Sequence, residues 1–322
     1  MITIAGAGLA GLASALELAR AGASVRVYEA GPEIGARSVA RYAGGMLAPW
    51  CERESAGEEV ITLGAGAADW WEAITPVTCR GTLVVAPPRD HAELSRFARR
   101  TTGFREVAGT GVDRLEPDLS GRFSRGLFFE REAHLDPRLA LQDLVNAATA
   151  LGVVINPGTA APDRVDLDCT GIHATLPDLR PVRGEMALLH CPEVTITRTI
   201  RLLHPRFPLY LVPRGEGVFM IGATMIESSS TRPVTLRSLS ELLGAAFAIH
   251  PGFAEASVIE TGSGLRPAFP DNLPRLVQRD GTLHLNGLYR HGFLLAPAMA
   301  ARVARHFIPE TSDAHHSECQ TA

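Results

Sequence analysis

Neither sign of charge is in excess: 31 Lys and Arg face 35 Asp and Glu, for a net charge of −4. That balance excludes the basic footprint of a nucleic-acid binder and leaves no acidic block of the kind that keeps a tail unfolded. The five cysteines, Cys51, Cys79, Cys169, Cys191 and Cys319, are scattered without a C-x-x-C, which reads as reduced thiols rather than a disulfide framework or a metal site. No apolar run reaches membrane length, because the stretch from Ile2 to Leu18 is broken by glycines and by Glu17. No basic lead precedes the apolar residues that start at Met1, so a secretory leader is not expected and cytoplasm is the expected compartment. Repeats and low-complexity linkers are lacking too. The polar end, Ser312 to Ala322 with His315 and His316, reads as a frayed tail rather than a metal site. What is present is 322 residues, 46% hydrophobic and 20% charged, which suits a globular protein of roughly two domains.

The densest signal lies at the N-terminus. Met1 to Ala5 reads as a short buried strand, and Gly6, Gly8 and Gly11 form G-x-G-x-x-G. Leu9 to Ala21 reads as a helix ended by Gly22, and Ser24 to Tyr28 reads as a second strand closed by Glu29, 18 residues after Gly11. Strand, glycine turn, helix, strand and acid in this order form the dinucleotide-binding fingerprint. Gly6 permits a tight turn, Gly8 a close approach of backbone to pyrophosphate, and Gly11 close packing of helix on strand. The helix N-terminus offers free N–H groups to phosphates. An acid at position 29 suits ribose hydroxyls and disfavours a 2′-phosphate, hence NADP. The motif leaves FAD and NAD open.

Farther on, helices are expected around Trp70 and Trp71, over His91 to Arg100, Pro137 to Leu151, Leu236 to Ile249 and Pro297 to Phe307. Strands are expected at Thr82 to Ala86, Gly126 to Glu130, Val165 to Asp168 and Thr282 to Leu285, with a strand-rich region from Val182 to Thr224. This order predicts an α/β fold: a Rossmann-like nucleotide domain in discontinuous pieces (1–50, 130–180 and 262–308), a β-rich substrate domain (51–129 and 181–261), and a tail at 309–322. No second G-x-G-x-x-G follows, which argues against a two-nucleotide disulfide reductase. No Gly-Asp-Ala motif of the aromatic hydroxylases follows the middle section either.

Several distant motifs then agree. They are Ala43-Gly-Gly-Met-Leu-Ala-Pro49, Pro181-Val-Arg-Gly-Glu185, Tyr210-Leu-Val-Pro-Arg214 with Ile221-Gly-Ala-Thr-Met225, Gly264-Leu-Arg-Pro267 with Pro270-Asp271, and Gly287-Leu-Tyr-Arg-His-Gly-Phe-Leu-Leu-Ala-Pro297. With the N-terminal fingerprint, the chain resembles the D-amino acid oxidase-like FAD oxidoreductases, and among them the glycine oxidases of thiamine biosynthesis. The resemblance implies FAD, a substrate domain with an antiparallel sheet facing the flavin, a small amino acid as substrate, O₂ as electron acceptor, imine and peroxide as products, and a homo-oligomer. No cysteine stands where covalent-flavin relatives attach the cofactor, so FAD is expected to be non-covalent. Only Val153 to Val165 fills the space where relatives carry a longer β-meander.

An α-amino acid oxidase must fix a carboxylate so that the Cα–H bond faces the flavin. Arg266 is the first candidate, because a guanidinium grips a carboxylate with two parallel donors. By resemblance, Arg290 lies by flavin and substrate, and Tyr210 gives a phenol to the substrate carboxylate. Gly44, Gly45 and Met46 are expected along the flavin ring. Gly292, Phe293 and Leu294 are expected to bring helix-terminal amides to it, beside Tyr289 and His291. The resemblance also assigns cofactor contacts to Ala7, Leu9 and Ala10 in the glycine turn, to Ala30 and Arg37 beside Glu29, and to Thr170, Gly171 and Gly264. His291 is a weak candidate for a base, since the reaction can proceed without one. Asp271 reads as a turn former. Rival readings are a D-amino acid or sarcosine oxidase or dehydrogenase of the same fold, a flavoprotein oxidising a modified tRNA nucleoside, and a partner subunit without turnover.

Overall fold

The computed structural model describes residues 1–203 and 209–309, so the tail from residue 310, with His315, His316 and Cys319, lies outside the described residues. Ile2–Ala5 forms the central strand of a six-stranded sheet. Across the sheet the order is Arg275–Arg279, Thr282–Asn286, Leu167–Asp168, Ile2–Ala5, Val25–Glu29, Val154–Pro157. All neighbours are parallel except the edge hairpin formed by Arg275–Arg279 and Thr282–Asn286. The helix Leu9–Arg20 runs from the first strand and packs against Pro137–Ala150 and Gly292–Phe307. Ile4, Leu12, Leu16 and Val27 join Leu295, Met299 and Val303 in one core, so the first and last segments of the described chain are buried together.

The second sheet has nine strands, mostly antiparallel. Arg180–His190 is its longest shared element, pairing with Val218–Gly222 and Ile226–Glu227 on one side and Ser257–Ala268 on the other. One parallel join, Thr199–Leu202 beside Thr82–Val85, stitches the early strands to the late ones. Leu236–Ile249 covers this sheet, with Leu242 and Ile249 in a core with Ile200, Leu211 and Ile221. A small sheet of Met46–Leu47, Ala133–Leu135 and Val77–Thr78 sets Met46 opposite His134. No helix among the described residues is long and apolar enough to cross a membrane.

Two elements differ from the sequence pattern. The last helix starts at Gly292, not Pro297, and carries the proline inside it. Proline lacks the N–H that would bond the Phe293 carbonyl four residues back. The Trp71 indole donates to that carbonyl instead, at 2.8 Å, so the helix tolerates the proline. The second difference is the strand Ser257–Ala268, which runs unbroken through residue 262, the expected domain boundary. Its glycines hide the pattern. They are required because the turn Val39–Tyr42 lies on the strand: a Cβ at Gly262 would meet the Tyr42 ring at 2.3 Å, and one at Gly264 would meet Val39 at 2.5 Å.

Candidate active site

A cavity of about 630 Å³ is lined from both sheets. At one end lies the glycine turn. Gly6 holds φ +94°, and a Cβ there would come within 2.8 Å of the Cys169 carbonyl. Gly8 and Leu9 present open backbone to the cavity. A Cβ at Gly11 would sit 1.9 Å from the Gly6 carbonyl, so this residue serves helix packing and lies behind the wall. The Glu29 carboxylate accepts the Ala7 amide at 3.0 Å and the Gly31 amide at 2.7 Å, which fixes it at the cavity edge. The helices Leu9–Arg20 and Gly292–Phe307 both begin at the wall, and neither has an acid in its first turn, so their positive ends stay available to a ligand.

Midway, Gly44, Gly45 and Met46 form part of the wall. Arg214 holds them there. Its guanidinium reaches from the nine-stranded sheet to the carbonyls of Ala43 and Gly44, each at 3.0 Å, and of Leu135 at 2.6 Å. Burial pushes this arginine down to about 10, the cost of taking a cation out of water. Its role as a clamp was not legible from the Val-Pro-Arg motif alone.

The far end carries Tyr210, Arg266, Tyr289 and Arg290. Arg266 stands opposite Val182 in its strand, and its guanidinium crosses Gly184, where a Cβ would lie 2.1 Å from Nη2. It donates to the Thr224 carbonyl at 2.9 Å, and no carboxylate pairs with it among the described residues. Burial lowers it to about 10. Arg183 and Glu185, which flank Gly184, instead form a buried ion pair at 2.6 Å that ties down the segment through Ser230, Pro233 and Thr235.

Arg290 is already paired. Its Nη2 lies 2.9 and 3.0 Å from the two oxygens of Glu52, and its Nη1 lies 3.3 Å from the Met225 sulfur. Glu52, on the helix Pro49–Ala56, also accepts the Tyr210 phenol and lies 3.3 Å from Arg201 Nη1. Burial would raise its carboxyl, but Arg290, Arg201 and His291 outweigh that and hold it down to about 2. Tyr210 lies on the cavity wall as expected, and its phenol donates to Glu52 in this structure. No sequence signal singled out Glu52.

Four expected contacts lie behind the wall rather than on it. Ala7 is fully buried, with its amide on Glu29. Gly11 packs on Gly6, and Leu294 packs over Gly64, where a Cβ would lie 2.7 Å from Leu Cδ1. His291 is buried with Nδ1 3.4 Å from Glu52. Burial drives its imidazole down to about 4, so it is neutral near pH 7, and it is not among the residues that line the cavity. The other expected residues, Ala10, Ala30, Arg37, Thr170, Gly171, Gly264 and Phe293 among them, line the cavity. Asp271 closes a turn by accepting the Leu273 amide at 3.1 Å, as its sequence context suggested.

A glycine-turn parallel sheet joined to an antiparallel sheet that presents arginines to one shared cavity defines a two-sheet dinucleotide-dependent oxidoreductase. Residues 1–306 match the family model of the FAD-dependent oxidoreductases (DAO), and the chain belongs to that family. It is 55% identical over 317 residues, 96% of this chain and 97% of the relative, to the Rhizobium etli protein named thiamine biosynthesis oxidoreductase ThiO. It is 28% identical over 351 residues to a glycine oxidase of Pseudomonas aeruginosa, covering 94% of this chain and 93% of that one. The crystal structure of glycine oxidase from Geobacillus kaustophilus superposes with a TM-score of 0.79 at 21% identity, covering 94% and 93% of the two chains. The fold is of the glycine oxidase type and the cofactor is FAD. The residues fit that group: an open glycine turn, a fixed acid beside it, two helix N-termini and a cavity long enough to join them to Arg266.

Proposed function

We propose that the chain is an oxidase of glycine and other small amino acids, forming the imine and hydrogen peroxide, and that the imine feeds thiazole formation in thiamine synthesis. Non-covalently bound FAD would take the hydride from the substrate Cα and pass the electrons to O₂. The observation that carries this reading is Arg266: a guanidinium on the cavity wall with no acidic partner among the described residues. A substrate carboxylate supplies the missing charge and binds in two-point fashion. Thr224 and the gap over Gly184 hold the guanidinium in place. Met46, Met186, Met220 and Met225 line the same region, leaving apolar, adaptable walls that suit a small side chain. We further assign the six-stranded sheet to cofactor binding and the nine-stranded sheet to substrate binding. The likeness to ThiO supports the pathway.

Peroxide release by the purified flavoprotein from glycine, sarcosine and D-alanine tests the reading. Glycine is expected to reduce the flavin under anaerobic conditions; a yellow protein reduced by none of the three refutes it. Arg266→Ala is expected to raise KM by about 100-fold, the scale of a lost charged hydrogen-bond pair, with FAD retained. Unchanged kinetics would remove its role.

A further inference from the structure

We propose that Glu52 is a positioning residue: by neutralising Arg290 and holding the Tyr210 phenol, it leaves Arg266 as the anchor for the substrate carboxylate. The proposal rests on reading the cavity as an amino acid site. Three guanidinium groups converge there. Arg201 is fully buried against the rings of Phe97 and Tyr210, 4.6 and 5.0 Å away, while Arg266 and Arg290 line the wall. Glu52, with its side chain 4% exposed, touches Arg201, Arg290 and Tyr210, and none of its contacts is to Arg266. Glu54 adds a second, weaker partner to Arg201 at 3.5 Å. The carboxylates therefore balance Arg201 and Arg290 and leave Arg266 unbalanced.

The asymmetry has a consequence for orientation. A carboxylate drawn to one cation takes one pose. A carboxylate offered two cations on the same wall takes two, and only one pose presents the Cα–H correctly. A ligand in the wrong pose occupies the site without reacting, which lowers kcat and KM together and leaves kcat/KM nearly unchanged. Glu52 does not touch the reacting atoms in this scheme. It acts by removing the second anchor before substrate arrives.

The test uses holoenzyme and acetate, a carboxylate with no amine to oxidise, titrated through the visible flavin spectrum and by calorimetry. Glu52→Gln is expected to tighten acetate about tenfold, the effect of roughly 1.4 kcal/mol from a newly unbalanced cation. On glycine, kcat should fall with kcat/KM held. The double variant Glu52→Gln/Arg290→Met removes both members of the pair, and acetate affinity should return to the wild-type value. Should Glu52→Gln fail to fold, Glu52→Asp retreats from Arg290 by one methylene and should tighten acetate in the same direction by a smaller factor. Acetate affinity unchanged or weaker in the single variants, or no reversal in the double, overturns the proposal. Because acetate binding needs no turnover, a wild type that binds acetate but leaves glycine unoxidised sinks the substrate reading alone. A wild type that oxidises glycine with acetate affinity indifferent to position 52 sinks the positioning role alone.

Discussion

Glu132 accepts the Cys51 amide at 2.7 Å, one residue before Glu52, yet the two carboxyls end in opposite protonation states. Glu52 has guanidinium partners and sits near 2, whereas burial pushes Glu132 up to about 8 and its second oxygen has no partner among the described residues. The linkage signs differ accordingly. Glu52 contributes stability above its ordinary value near 4.5 that is lost as pH falls toward 2. Glu132 contributes stability below its ordinary value near 4.5 that is lost as pH rises through 8. Glu132→Gln should therefore melt close to wild type at pH 5 and above it at pH 9, a relative gain on the order of a few kcal/mol. Thermal melts at the two pH values check this, and a gap that does not widen with pH refutes the neutral carboxyl. Gly184 offers a second test at this scale. Gly184→Ala puts a methyl where the Arg266 guanidinium lies, so KM for glycine should rise at least about tenfold while the flavin spectrum persists.

At the scale of the element, the helix Gly292–Phe307 depends on a tryptophan from the helix Ala67–Glu72. Trp71 is fully buried and donates to the Phe293 carbonyl that Pro297 leaves free. Trp71→Phe keeps most of the apolar contact and orphans that carbonyl, which should cost about 1–3 kcal/mol. Trp70→Phe is the control, because the Trp70 indole bonds Glu17, a partly exposed side chain that Arg20 also serves and water can reach. Denaturant melts should rank the two, and equal losses would remove the carbonyl from the account. The same helix shows a limit of local pattern. Proline usually marks a first turn, so the sequence points to a start at Pro297. The compensating donor is 222 residues away, and no window around the proline contains it.

Across the molecule, legibility follows the range of the interactions. The glycine turn and Glu29 stand within one strand–helix–strand unit, and the bond that joins them spans only 22 residues. The inner end of the cavity is built otherwise. Glu52 lies in the charged run Cys-Glu-Arg-Glu-Ser, and its partners Tyr210 and Arg290 are 158 and 238 residues on. Arg214 reaches Gly44 across 170 residues. Ser257–Ala268 lacks an apolar alternation and becomes a strand because Arg180–His190 offers it an edge. Motif resemblance found Arg266 and Arg290, but only tertiary contact reveals that one is free and the other taken.

The cavity wall joins Gly6 to Gly292, so the pocket cannot form until the two ends of the described chain have come together. The first strand and helix are buried by a helix that follows the whole nine-stranded sheet in sequence, a contact of very long range. The cofactor site is accordingly complete only when the first and last helices of the described chain have met. A variant truncated before Gly292 is therefore expected to lose the stabilisation that ligand binding gives the native state, so its melting temperature should not rise with added FAD.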